Sequence, residues 1–268
     1  MPYEEHPSAG DLPPPDTLIW RFMSLAKFLS FVTTSSLYFA QALQLRKVDP
    51  FEGSLTLKNR QWREEIVSNE EAARAFLTLP KDRPLPPNLI EFFTPERGTE
   101  IQRLFVATTY LNCWHMSPFE SAFLWSNYAS LTDGLAIRST VGALCDSLKN
   151  EERAICIGPV NYIDYEADVI AESNAFNAFF CKRKSFSAEN ELRCCFNHLV
   201  DGVGWGPECI ETNPKGIAIE CSADVLVDQV LVSPFAPPWC TDLVRSICNH
   251  FGMKFEITKS SITDPAIL

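Results

Sequence analysis

Lys182-Arg183-Lys184-Ser185-Phe186-Ser187-Ala188-Glu189-Asn190-Glu191-Leu192-Arg193 is dense in charge of both signs, and its reading decides the fold of this 268-residue chain. If it is a strand, alternate side chains share a face about 6.6–7 Å apart. Glu189, Glu191 and Arg193 then line one side, while Leu192, Cys194 and Phe196 line the other. The apolar side enters a core. The other presents two carboxylates and a guanidinium, a set suited to holding a hydroxyl-rich ligand and stabilising developing positive charge. On a helix the same residues reduce to an ordinary Glu189/Arg193 pair at i,i+4, worth about 0.2–0.5 kcal/mol.

On the N-terminal side of this segment, Leu18–Phe22 reads as a strand. Leu25–Val32 reads as a helix, with Leu25, Phe28, Leu29 and Val32 at helical spacing, and Leu37–Ala40 as a second strand. Asp49-Pro50-Phe51-Glu52-Gly53-Ser54 is a turn, in which Pro50 fixes φ and Gly53 permits close backbone approach. Helix is expected over Gln61–Leu79, a loop over the proline-rich Pro80–Gly98, and a strand over Phe105–Trp114. Helices over Glu120–Tyr128, Val141–Leu148 and Ala175–Arg183 alternate with strands over Leu135–Arg138 and Val160–Tyr165. After a Gly/Pro-rich connection, strands Gly216–Cys221, Val230–Ser233 and Phe255–Thr258 alternate with helices Ala223–Val227 and Cys240–Phe251. No repeat or long linker divides residues 17–268. They are expected to form one α+β domain with a split mixed or antiparallel sheet flanked by helices. Residues 1–16 hold five prolines and little apolar content, and read as a flexible tail.

The net charge of −11 argues against gripping nucleic acid through the overall field, since phosphate binding is driven by Lys and Arg. Ten scattered cysteines without a C-x-x-C pair argue against a zinc ribbon and suit free thiols in a reducing compartment. Arg21 and Lys27 interrupt the apolar run Leu18–Ala40, so no membrane span is expected. These features point to a soluble cytoplasmic protein with no metal. Phosphate loop, dinucleotide fingerprint and H-E-x-x-H helix are all absent from the sequence. Cys113 and His115 could be a nucleophile and its base, or a packed thiol and a rim histidine. Glu120, Trp125 and Tyr128 could build an aromatic wall for a flat ring, or belong to the core. A metal-dependent nuclease reading would place a divalent ion among Glu52, Glu189 and Glu191, with Lys184.

Taken together, Leu18–Met23, Leu37–Ala40, Asp49–Ser54, Asn112–Met116, Leu124–Tyr128, Val160–Tyr165 and Lys182–Arg193 resemble the domain-of-unknown-function family 2971 over most of Thr17–Pro265. A second resemblance supplies chemistry. Arg21 on a first strand, the aromatic strand Leu37–Ala40, and much later Glu189-Asn190-Glu191 follow the order of ADP-ribosyltransferase-like folds. That resemblance implies an NAD-consuming transferase or glycohydrolase, with a place in defence or stress response and NAD plus an unknown acceptor as partners. It implies that Arg21 holds a phosphate or ribose of NAD, and that the Tyr38 strand walls the nicotinamide pocket. Glu191 would bind the nicotinamide ribose and stabilise an oxocarbenium-like state, and Glu189 would orient the acceptor. Glu52, Trp125, Tyr128 and Lys184 complete the expected binding set. The alternative is a non-catalytic ligand-binding or protein-interaction sensor. What separates the two is whether these side chains converge on one cleft.

Overall fold

The computed structural model describes residues 3–4, 10–76, 78, 80, 82–86, 91, 93–130, 132–172, 174–199 and 206–264. Its strands are β1 (Tyr3–Glu4), β2 (Leu18–Ser24), β3 (Ser36–Gln41), β4 (Thr109–Met116), β5 (Gly134–Thr140), β6 (Ile155–Pro159), β7 (Asn161–Ile163), β8 (Cys181–Arg183), β9 (Glu191–Asn197), β10 (Gly216–Glu220), β11 (Gln229–Val232) and β12 (Glu256–Lys259). The main sheet runs β1-β6-β9-β4-β2-β5-β11-β12, with β3 attached to β4 and β10 to β3. Among the described residues, only β1/β6 and β11/β12 pair in parallel within it, so the protein is α+β with a mixed, largely antiparallel sheet. β7 and β8 form a separate parallel pair.

The sheet splits at β4. Ile19 and Trp20 of β2 stand opposite Met116 and His115, at one end of β4. Ala40 and Gln41 of β3 stand opposite Leu111 and Tyr110, toward the other end. The second edge of β4 is filled along its length by β9. Two strands thus share one edge and must diverge between their contacts, which opens a gap across Asn112–Trp114. The helix Leu25–Thr34 joins the diverging strands. Ser24 caps its first turn, and Ser35, at φ 46°, ends it in the left-handed region. Asn112 Nδ2 reaches across the gap to donate to Tyr38 O at 2.9 Å.

One core lies under the sheet, built around Ile19, Phe28, Phe39, Tyr110, Trp114, Leu192 and Phe196. Each such side chain adds about 1.5–3 kcal/mol when fully buried. Leu192, Cys194 and Phe196 enter this core as their alternation predicts. The opposite face of β9 is buried too, since Cys195 packs with Ala42, Val106, Leu111, Phe179 and Phe180. Glu191 and Arg193 are therefore interior charges.

Several boundaries differ from the pattern reading. Glu189 ends a 3-10 turn, Lys184–Glu189, and β9 begins at Glu191. Asn190 between them sits at φ 37°, a conformation asparagine tolerates, and its Nδ2 donates to Met116 O at 2.6 Å. Phe105–Thr108 extend the helix Pro95–Thr108, which starts on a Thr94 cap with proline in its first turn. The run over Gln61–Leu79 is broken into helices Leu57–Ser68 and Glu70–Phe76, with residues 77 and 79 outside the described set. Ala175–Phe180 is 3-10, and Cys181–Arg183 is strand β8 rather than helix. In the N-terminal segment, Tyr3 and Glu4 pair with Ile155 and Cys156, and Gly142 N donates to Pro15 O.

Candidate functional site

The divergence of β2 and β3 leaves a cleft of about 640 Å³. Arg21 stands on the β2 wall and Tyr38 on the β3 wall; Cys113 and His115 of β4, with Glu191 and Arg193 of β9, form the floor. The turn after β3 adds Asp49 and Glu52, β8 adds Lys182, and Glu189 and Tyr128 close the far side. Six of the residues singled out from sequence, Arg21, Tyr38, Glu52, Tyr128, Glu189 and Glu191, thus border one cleft.

Trp125 and Lys184 do not. Trp125 is buried, donates from its indole nitrogen to Glu120 Oε2 at 2.8 Å, and packs edge-on against Phe22 at 5.1 Å. The helix Ala122–Tyr128 turns Tyr128 to the cleft and keeps Trp125 as core. Lys184 begins the 3-10 turn, where its side chain is 65% exposed and lies 3.8 Å from Asp168. Lys182, two residues earlier on β8, enters the cleft instead.

Arg193 is fully buried and uses its whole donor fork. Nη1 and Nη2 meet the two Glu52 oxygens at 2.6 and 2.9 Å. Nε and Nη2 meet Glu191 Oε1 and Oε2 at 2.7 and 3.2 Å, and Nη1 also reaches Phe179 O at 2.6 Å. Lys182 Nζ bridges Glu189 Oε2 and Glu191 Oε2. The second Glu189 oxygen accepts from the Tyr128 hydroxyl at 2.5 Å. Three carboxylates thus share two cations, leaving one negative charge in excess. The Glu52 turn is itself held: Arg46 donates to Glu52 O and Ser54 Oγ, and Gln102 to Gly53 O. Gly53, at φ 65°, has the Phe179 ring where a Cβ would lie, 2.4 Å away, so only glycine fits.

Burial pushes the Glu191 carboxyl up, but Arg193 and Lys182 outweigh it and hold the pKa at about 2. Burial pulls Arg193 and Lys182 down, and their carboxylate partners reverse this, so both stay charged. Burial, reinforced by Glu191, drives the Cys113 thiol well above its ordinary value. A thiol held protonated is a poor nucleophile. His115 Nδ1 is tied to Glu189 O at 2.6 Å, so the Cys113/His115 pair buttresses the carboxylates. Lys182 Nζ and the Arg193 guanidinium stand where a nuclease reading would put its ion between Glu52, Glu189 and Glu191. Among the described residues, no group of three or more His, Cys, Asp and Glu side chains is placed to hold a metal.

Arg21 is the exception to this pairing. Nη2 donates to Tyr38 O at 3.3 Å and the guanidinium lies 5.7 Å from the Trp114 ring centroid. Nη1 has neither solvent nor partner, and burial lowers the pKa with only thiols opposing it. Arg21 is thus a guanidinium without a carboxylate partner on the wall of the cleft.

The Glu191 shift, from 4.5 down to about 2, makes a stability contribution that is whole above about pH 4.5 and lost as pH falls through 2. Burial pushes Glu52 up, which has the opposite sign, so the Glu191 limb is read by difference. Urea unfolding midpoints should fall between pH 4.5 and 2 more steeply in wild type than in Glu191→Gln. Parallel curves would place the acid sensitivity elsewhere.

Sequence reading gave Asp49 only a place in a turn, missed the inward placement of Lys182, and named Arg193 without its principal partner. Glu52 and Arg193 are 141 residues apart in the chain, and no local pattern connects them. Among the described residues, no helix is long and apolar enough to cross a membrane. Comparison with known proteins adds no kinship: no protein-family model, curated protein or solved structure matches the chain.

Proposed function

We propose that this protein is an NAD-consuming enzyme of the ADP-ribosyltransferase type, a transferase or glycohydrolase, acting in the cleft between β2 and β3. The carrying observation is that Arg21, Tyr38, Glu189 and Glu191, far apart in the chain, border one split in the sheet. The volume, about 640 Å³, lies within the ordinary range of small-molecule sites. Arg21, which has no carboxylate partner, suits the dinucleotide pyrophosphate, and the half-exposed Tyr38 ring suits one face of the nicotinamide. Glu191 is ionised at every physiological pH, so it opposes positive charge as that charge grows on the ribose. The C1′–N bond breaks with both electrons going to the pyridinium, which leaves as neutral nicotinamide. A C1′–O bond forms to water or an acceptor hydroxyl, whose proton passes to Glu189 or solvent. Lys182, between the two acids, keeps them at fixed separation.

A sensor that binds the same ligand without cleaving it is the second reading, favoured by one feature: both Glu191 oxygens are already engaged by cations. The test is nicotinamide release from NAD by the purified protein, alone and with a cell extract as acceptor source, alongside calorimetry. Release supports the enzyme, binding without release supports the sensor, and neither overturns both. Arg21→Ala is expected to raise KM for NAD about 10–100-fold with little change in kcat, the mark of lost ground-state binding to an anion.

A further inference from the structure

The carboxylates around the floor of the cleft have little left to offer an incoming proton. Both oxygens of Glu52 meet Arg193, both of Glu191 meet Arg193 or Lys182, and both of Glu189 meet Tyr128 or Lys182. Glu191, held at about 2, is too weak a base in any case. His115 differs. Its Nδ1 lies 2.6 Å from the Glu189 carbonyl oxygen, which can only accept, so Nδ1 carries the hydrogen. The neutral ring then keeps its lone pair on Nε2. Among the described residues Nε2 has no hydrogen-bond partner, yet it is not shut away from solvent, and the side chain borders the cleft. One nitrogen thus fixes the ring and the other is left for chemistry. In the β4/β9 ladder His115 stands directly opposite Glu191, and such antiparallel pairs share a face with Cβ atoms about 4.5–5.5 Å apart.

We propose that His115 is a catalytic base, whose Nε2 takes the proton of the water or acceptor hydroxyl that attacks C1′ and hands it on to solvent. This rests on the NAD-consuming reading of the cleft. As nicotinamide leaves with the C1′–N electron pair, the attacking oxygen forms the C1′–O bond. Its O–H electron pair stays on oxygen while the proton moves to the Nε2 lone pair. The imidazolium so formed keeps its Nδ1 hydrogen on Glu189 O, and the Glu191 carboxylate across the ladder favours its charge. Glu189, with both oxygens already accepting, is the poorer receiver.

His115→Asn separates the two nitrogens, because the asparagine amide can still donate to Glu189 O but places nothing at Nε2. Nicotinamide release by the whole chain is measured for wild type, His115→Asn and His115→Gln, with thermal unfolding of each as the folding control. In both variants kcat is expected to fall about 10²-fold or more with KM for NAD little changed, and added imidazole to recover about 10-fold of the loss. A merely structural role would gain nothing from a free base in solution. Carbethoxylation of wild type needs no variant: His115, mapped by mass spectrometry, is expected to be labelled as activity is lost, and NAD to prevent both. A folded His115→Asn protein within about 3-fold of wild type, or a loss that imidazole leaves untouched, overturns the role of His115 and leaves the enzyme reading standing. So does His115 left unlabelled while the exposed His250 is modified. No nicotinamide release by wild type overturns both.

Discussion

In Glu191→Gln, nicotinamide release from NAD is expected to fall about 10²–10³-fold while the protein stays folded. The substitution keeps the shape and removes the charge. Glu191 is the acid of the cleft held at about pKa 2, so on the proposed reading the positive charge growing on the ribose would meet a full carboxylate. A carboxamide offers a dipole instead. The fold tolerates the change because Arg193 keeps its two-pronged contact with Glu52 and Lys182 keeps Glu189. The single excess negative charge among these five residues simply disappears. Release assays paired with thermal unfolding check the prediction. A folded variant that cleaves NAD within about 3-fold of wild type would remove Glu191 from the chemistry.

Arg193→Met should be the most damaging single change to the fold, costing about 3–5 kcal/mol. The side chain is fully buried, and two carboxylates lean on it. Methionine fills much of the space but strands Glu52 and leaves Glu191 with Lys182 alone. Much of that cost belongs to the stranded charge, so Glu52→Gln combined with Arg193→Met should recover about 1–2 kcal/mol relative to the Arg193 variant, a coupling that urea denaturation can read. If the two losses merely add, the pair acts through packing and its charge is incidental.

Much of the fold was legible in the chain because local rules govern it. The strand Leu18–Phe22, helix Leu25–Val32 and strand Leu37–Ala40 read from their periods lie within the observed Leu18–Ser24, Leu25–Thr34 and Ser36–Gln41, and the alternation of Leu192, Cys194 and Phe196 set the core face of β9. What failed to show was decided at a distance. Phe105–Thr108 are as apolar as a strand, yet the Thr94 cap and Pro95 start a helix that runs through them. Strand spacing put Glu189 and Glu191 on one side, and both do meet Lys182, but through a 3-10 turn and a left-handed Asn190 that spacing does not reveal. Lys182 and Lys184 have identical local credentials. Strand β8 sends the first inward, whereas the 3-10 turn sends the second to Asp168. The Trp125 ring was distinguishable from the Tyr128 ring only once Glu120 had claimed its indole nitrogen.

The shared edge of β4 has a mechanical meaning. β3 meets the rest of the sheet through two residue pairs, whereas β10 holds it through five and β9 grips β4 through seven. The β3/β10 pair is thus a ribbon clipped to a stiff spine, and its aperture is set by a short seam and the stitch from Asn112 to Tyr38. Widening that aperture for a longer guest would strain the seam, that stitch and the contact from Arg21 Nη2 to Tyr38 O. Glu191 and Arg193 ride on the spine, and Glu52, on the turn beyond β3, ties the jaw to them.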